Sequence, residues 1–168
     1  MSPASHGPDS RMAGAAAVTS PAVGTAGASG LGQRPPDPDR SAWVAARYRE
    51  GAEADDPAAL AALYRPDVLV DTHVPNWRFQ LQGAEAAAER ACVLPRPGQF
   101  SVFDTEASEH GLLVQFEWRT HGSGAVVRQL HRWCLVDGLI AEQLVYCAGV
   151  WDRRLQEQMA VAAPLVRR

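Results

Sequence analysis

A chain of 168 residues with a formal net charge of −3 is long enough for one domain with a substantial core and too short for two. All 16 of its cationic side chains are arginine, which excludes a lysine Schiff base, a pyridoxal phosphate anchor and a Walker-type phosphate loop. No basic stripe points to nucleic acid or an anionic membrane, and no apolar run reaches the ~18–20 residues of a membrane-spanning helix.

Residues 1–40 are rich in Ala, Gly, Pro and Ser, with neither a helical nor a strand period. Such a segment buries too little apolar surface to offset chain entropy, so it is expected to be a disordered arm ahead of a single domain over 41–168. Arg11 precedes no solid apolar stretch, which argues against a secretory signal. The glycines at 24, 27, 30 and 32 follow no strand, so they do not form a dinucleotide loop.

The first helix is expected from about Ser41 to Ala54, capped by Asp39 or Ser41, with Trp43, Val44, Arg47, Tyr48 and Gly51 along one face. A second helix starts with Asp56 as cap and Pro57 in the first turn. Its stripe is Leu60, Leu63 and Tyr64, and Pro66 ends it. "DVLVDTH" from Asp67 reads as a strand, and "VPNWRFQLQG" as a loop or short edge segment. There Trp77, Arg78 and Phe79 are candidates to lid a pocket or to cover the third helix, which is expected over Gly83 to Leu94.

The period then changes from 3.6 to 2. Strands are expected at about 100–108, 112–120, 125–136 and 139–148, and Asp137-Gly138 marks a two-residue hairpin that needs positive φ at both positions. "WDRRLQEQMAVAA" reads as a last helix, with Trp151, Leu155 and Met159 on one side. Helices followed by a strand meander predict an α+β fold, a curved antiparallel sheet wrapped around the N-terminal helices.

Alternation sorts the strand faces. Leu112, Val114, Phe116 and Trp118 share an interior face. In the next strand the exposed arginines 128 and 132 put Gln129, His131 and Trp133 inside. The last strand divides into Ala141, Gln143, Val145, Cys147 and Ile140, Glu142, Leu144, Tyr146, and alternation leaves open which set is interior. Two polar side chains on one interior strand require partners or water, so a solvated pocket is expected rather than a dry core. Cys92, Cys134 and Cys147 are odd in number with no CxxC spacing, which suggests free thiols in the cytoplasm.

The stretches "DDPAALAALYRPDVLVDTH", "QGAEAAAER", "VQFEWRTHG" and "RQLHRWCLVDGLIAEQLVY" resemble the nuclear transport factor 2-like superfamily over roughly residues 43–150, in particular its SnoaL-like polyketide cyclases and ketosteroid isomerase. The resemblance implies a cystatin-like cone with a C-terminal helix and a small-molecule enzyme, in secondary metabolism for the cyclase branch. Tyr48 falls where ketosteroid isomerase has its oxyanion-binding tyrosine, and His131 where it has the acid that donates to the same oxyanion. Thr72 replaces the general-base aspartate, between Asp71 and His73. Val145 stands at the acid position that SnoaL-like cyclases and limonene epoxide hydrolase use on the last strand.

The expected chemistry is cofactor-independent isomerisation, cyclisation or dehydration of a small apolar carbonyl compound. His131, Tyr48, Asp71 and His73 are the catalytic candidates. Thr72, Trp77, Phe116, Trp118, Gln129, Trp133, Gln143 and Val145 are the candidate substrate contacts. Asp71 and His73 form an Asp-x-His pair that can supply two metal ligands, with His131 as a third, but no metal or cofactor is expected. The alternative is a non-catalytic ligand-binding or dimerisation module. A homodimer is expected through the outer sheet face, with Leu130, Cys134, Leu144 and Tyr146 in contact.

Overall fold

The computed structural model describes residues 37–94 and 96–163. The expected arm lies outside the described residues up to position 36. The element order is α1 (Pro38–Ala54), α2 (Pro57–Ala61), β1 (Tyr64–Val74), β2 (Trp77–Gln82), α3 (Ala84–Ala91), β3 (Gly98–Ser108), β4 (Gly111–Thr120), β5 (Val126–Val136), β6 (Leu139–Trp151) and α4 (Arg153–Ala162).

The first helix begins earlier than the spacing predicts. Asp37 accepts the Asp39 N–H, and Pro38 occupies the first turn, where its fixed φ suits the helix and its missing N–H leaves nothing unsatisfied. Ser41 is therefore buried inside the helix rather than capping it. Gly51 permits the close approach of α2, since a Cβ there would stand 3.1 Å from Leu60 Cγ. Asp56 caps α2 as expected, accepting from the Ala59 N–H at 2.9 Å.

α2 is shorter than expected. It stops at Ala61, and Tyr64 opens β1. Pro66 thus lies within a strand, in a stretch where the ladder with β6 is interrupted: Tyr64 faces Ile140, and pairing resumes at Leu69 with Glu142. A proline is tolerated there because no ladder hydrogen bond needs its nitrogen. The segment after it forms a true edge strand, β2, hairpinned onto β1 from Val74↔Trp77 to Leu69↔Gln82.

The six strands form one sheet in the order β2-β1-β6-β5-β4-β3. Neighbours are antiparallel except β1 and β6, which run parallel, so the expected antiparallel sheet is in fact mixed. This pairing brings the first strand beside the last and closes the helices against one face. The hairpin at Asp137-Gly138 has the predicted positive φ at both residues, 53° and 74°.

Val44, Tyr48 and Ala52 of α1, Leu60 of α2 and Ala87 and Ala88 of α3 pack against Val68, Val70, Val114, Phe116, Trp133 and Val145 of the sheet. Burial of this apolar surface is the main stabilising contribution. A bulge settles the face of β6. Leu135 pairs with Ile140 and Cys134 with Glu142, so Ala141 is extra. Ile140 and Gln143 consequently both point inward, followed by Val145. α4 is capped by Asp152, whose side chain accepts from the Leu155 N–H at 2.7 Å. None of its residues is buried.

Candidate functional site

The helices and the inner sheet face enclose a cavity of about 270 Å³. Tyr48 enters from α1, Thr72 from β1, Phe116 from β4, Gln129 and His131 from β5, and Gln143 and Val145 from β6. Ala87, Arg90 and Ala91 of α3 complete the wall with Val93 and Leu94. Val93 and Val150 are 62% and 59% exposed and mark the open side.

A chain of hydrogen bonds runs through the polar part of this wall. Tyr64 Oη donates to Gln143 Oε1 at 2.7 Å. Gln143 Nε2 donates to His131 Nδ1 at 2.9 Å, and the Trp133 indole N–H points at the same nitrogen from 3.4 Å. His131 Nε2 donates to Gln129 Oε1 at 2.8 Å, and Gln129 Nε2 reaches Cys147 Sγ at 3.4 Å. An indole nitrogen can only donate. Nδ1 therefore holds the lone pair, Nε2 carries the proton, and the orientation of both glutamines follows.

Burial pushes the His131 imidazole down to a pKa of about 3. Protonation would also set an Nδ1 proton against two donors with no acceptor. The ring is neutral at pH 7, and its lone pair is engaged. Its ring meets Phe116 edge-on at 5.0 Å and Tyr48 edge-on at 6.3 Å between centroids. Burial raises the Tyr48 phenol well above its ordinary pKa, with Gln143 and Tyr64 close to its hydroxyl. Tyr64 is raised for the same reason.

Thr72 differs from these neighbours. It is 2% exposed, and its Oγ1 has no hydrogen-bond partner among the described residues. A buried hydroxyl without a partner is costly and uncommon, and this one is on the cavity wall.

Several expected site residues lie elsewhere. Inward and outward residues alternate strictly from Val68 to His73, because the irregularity of β1 falls before Leu69. Asp71 and His73 therefore face away from the cavity. Asp71 is held by Arg78 and by Gln80 at 3.1 Å, and the Arg78 hydrogen bond lowers its pKa to about 2. His73 stacks on Tyr146 at 4.8 Å. His131 points to the opposite face, so the three cannot share a metal. Among the described residues no group of three or more His, Cys, Asp or Glu is placed to hold one.

Trp77 is 73% exposed on the edge strand and lids nothing. Trp118 is core: Phe100 packs edge-on against it at 5.0 Å, and the Arg96 guanidinium covers its ring at 4.9 Å. Trp133 supports the site from behind, with its ring 4.8 Å from Tyr48 and its N–H on His131. Two contributors escaped the sequence reading. Tyr64 was placed on a helix, although the β-type run "YRPDVLV" could have signalled an earlier strand start. Arg90 ends the stretch "QGAEAAAER", whose likeness concerns the fold and assigns its arginine no role.

A sequence model described as a SnoaL-like domain matches residues 45–143. Among solved structures, an NTF2-like protein of unknown function from Mesorhizobium loti superposes with a TM-score of 0.57 at 22% identity, covering 69% of this chain and 98% of that one. An LEH-like epoxide hydrolase from M. tuberculosis superposes with a TM-score of 0.54 at 12% identity, covering 77% and 100%. At such identities the likeness concerns the fold alone. No curated protein matches the sequence. No helix among the described residues is long and apolar enough to cross a membrane. With the family match running from within α1 into β6 and taking in most of the cavity wall, the chain belongs to the SnoaL-like family, on a nuclear transport factor 2-like α+β fold.

Proposed function

We propose that this chain binds a small, largely apolar compound in the cavity and that Thr72 meets an oxygen or nitrogen function of that compound. The observation that carries this reading is the buried Thr72 hydroxyl, which has no hydrogen-bond partner among the described residues, on a wall whose other uncharged polar side chains bond to one another. Tyr48 lies in the same wall, and the apolar side chains around them suit a hydrocarbon body. Titration calorimetry with small ketones, esters and acids tests the reading on the protein and on Thr72→Val. Valine removes an orphan hydroxyl, so the variant is expected to melt higher yet bind about ten-fold more weakly. A variant that melts higher and binds equally well would reduce Thr72 to a packing defect.

Turnover of the isomerase, cyclase or dehydratase type is the second reading. It is favoured by a neutral imidazole and a phenol facing one apolar cavity. The pattern of donors weighs against it. A base works best with a pKa near the working pH, whereas His131 is far below it and its lone pair already accepts from Gln143. Catalysis by His131 therefore requires the bound compound to draw the Gln143 amide away. Turnover lost in His131→Gln while binding survives would establish this second reading.

A further inference from the structure

The binding reading leaves one group on the wall unused. Arg90 contributes the only charged side chain among the described residues that line the cavity. It stands in the last turn of α3, one turn before the exposed Val93, and so at the open side. Its guanidinium lies over the Phe79 ring, 5.1 Å from the centroid. Among the described residues no carboxylate within 4.0 Å pairs with it, unlike Arg47, Arg49, Arg65, Arg78, Arg96, Arg119 and Arg128.

Register links Arg90 to Thr72. Phe79 is the direct cross-strand partner of Thr72, and directly opposed residues share a face with Cβ atoms about 4.5–5.5 Å apart. The ring that supports the guanidinium is thus the neighbour of the unpartnered hydroxyl. The Arg90 charge also reaches the Tyr48 hydroxyl. A half-buried arginine can engage a carboxylate through two parallel N–H bonds while both groups stay partly hydrated, which keeps the desolvation cost low.

We propose that the compound bound in this cavity is an organic anion, a small monocarboxylate with an apolar body, and that Arg90 at the open side selects its charge. This rests on the binding reading above and adds to it the chemical class of the ligand. Cations near a helix C-terminus are favoured by the helix dipole, which accounts for an arginine on α3 but not for its place on the cavity wall without an acidic partner.

Matched pairs test the charge separately from the shape. 3-Phenylpropanoate and octanoate are titrated calorimetrically against their primary amides, with the protein and with Arg90→Gln, Arg90→Lys and Thr72→Val. The acids are expected to bind the unmodified protein at least about ten-fold more tightly than the amides. Arg90→Gln should bring acid down to amide, Arg90→Lys should keep part of the preference, and Thr72→Val should weaken acid and amide together. Amides that bind as tightly as acids, or a preference unchanged in Arg90→Gln, overturn the anion proposal and leave the binding reading standing. If neither acid nor amide binds the folded protein, the binding reading falls with it.

Discussion

Two histidines on opposite faces of this sheet show how little a residue type says about its chemistry. His131 on β5 is 2% exposed, and both ring nitrogens are held by neutral amides. His73 on β1 is on the outer face, stacked on Tyr146, with Nε2 3.6 Å from Asp71. The outer histidine has a carboxylate beside it, and its side chain is 33% open to solvent. The inner one has neither, so it acts as a fixed dipole in a wall of fixed dipoles. The same division holds for the carboxylates. Glu117 on the outer face would be raised by its burial, but hydrogen bonds from Ser101, Arg128 and Arg119 outweigh that and hold it below its usual range. Among the described residues no carboxylate faces the cavity. Charge is managed on the outer face, and among the described residues the cavity wall is neutral apart from Arg90.

Removing the inner ring is expected to have the largest effect. His131→Ala leaves Gln129, Gln143 and Trp133 with unmet polar groups around a new void, and is expected to cost about 3 kcal/mol in urea unfolding. A loss below about 1 kcal/mol would mean that the chain of hydrogen bonds is not a structural unit.

A pH series reads the same contrast without mutation. The unfolded His131 takes up a proton below about pH 6.5, whereas the folded ring stays neutral down to about 3. Its contribution is complete above pH 6.5 and is lost as pH falls towards 3, by about 1.4 kcal/mol per pH unit, or ~2 kcal/mol between pH 6.5 and 5. Asp71 and Glu117 are depressed carboxylates, so their contributions fade only at lower pH. Unfolding at about pH 7, 6 and 5 should show this slope, and His131→Gln should flatten it. An equal slope in both proteins would place the responsible proton elsewhere.

The smallest effect is expected on the outer face. His73→Ala loses one exposed stack and is expected to change stability by no more than about 0.5 kcal/mol. It should also leave ligand affinity unchanged, because the ring does not reach the cavity. A ten-fold change in affinity would join the two faces that the structure separates.

Much of the inner wall was legible from period alone. Phe116, Gln129, His131 and Trp133 were assigned correctly because β4 and β5 alternate without interruption across the cavity and carry arginines on the other side. Trp118 was on the correct face but at the wrong depth, since alternation distinguishes inside from outside and not cavity from core. The outward direction of Asp71 and His73 is not legible, because the position of the β1 irregularity cannot be read from "YRPDVLVDTH". It depends on where that strand meets β6, some seventy residues away. Gln143 was undecided for the same reason, its face being set by a bulge at Ala141.

The order of elements, the Asp137-Gly138 hairpin and the polar character of β5 can be read from the amino-acid order alone. All of these depend on neighbours within a few positions. It takes the packed strands to show that Tyr64 completes a chain of hydrogen bonds to His131, that Thr72 has no partner among the described residues, and that Arg90 comes to the open side of the cavity beside Phe79. These are relations between distant strands and a helix, set by bulges and by the parallel pairing of β1 with β6. Local patterning gives no access to such registers, because a shift of one residue reverses every side chain while leaving the composition unchanged.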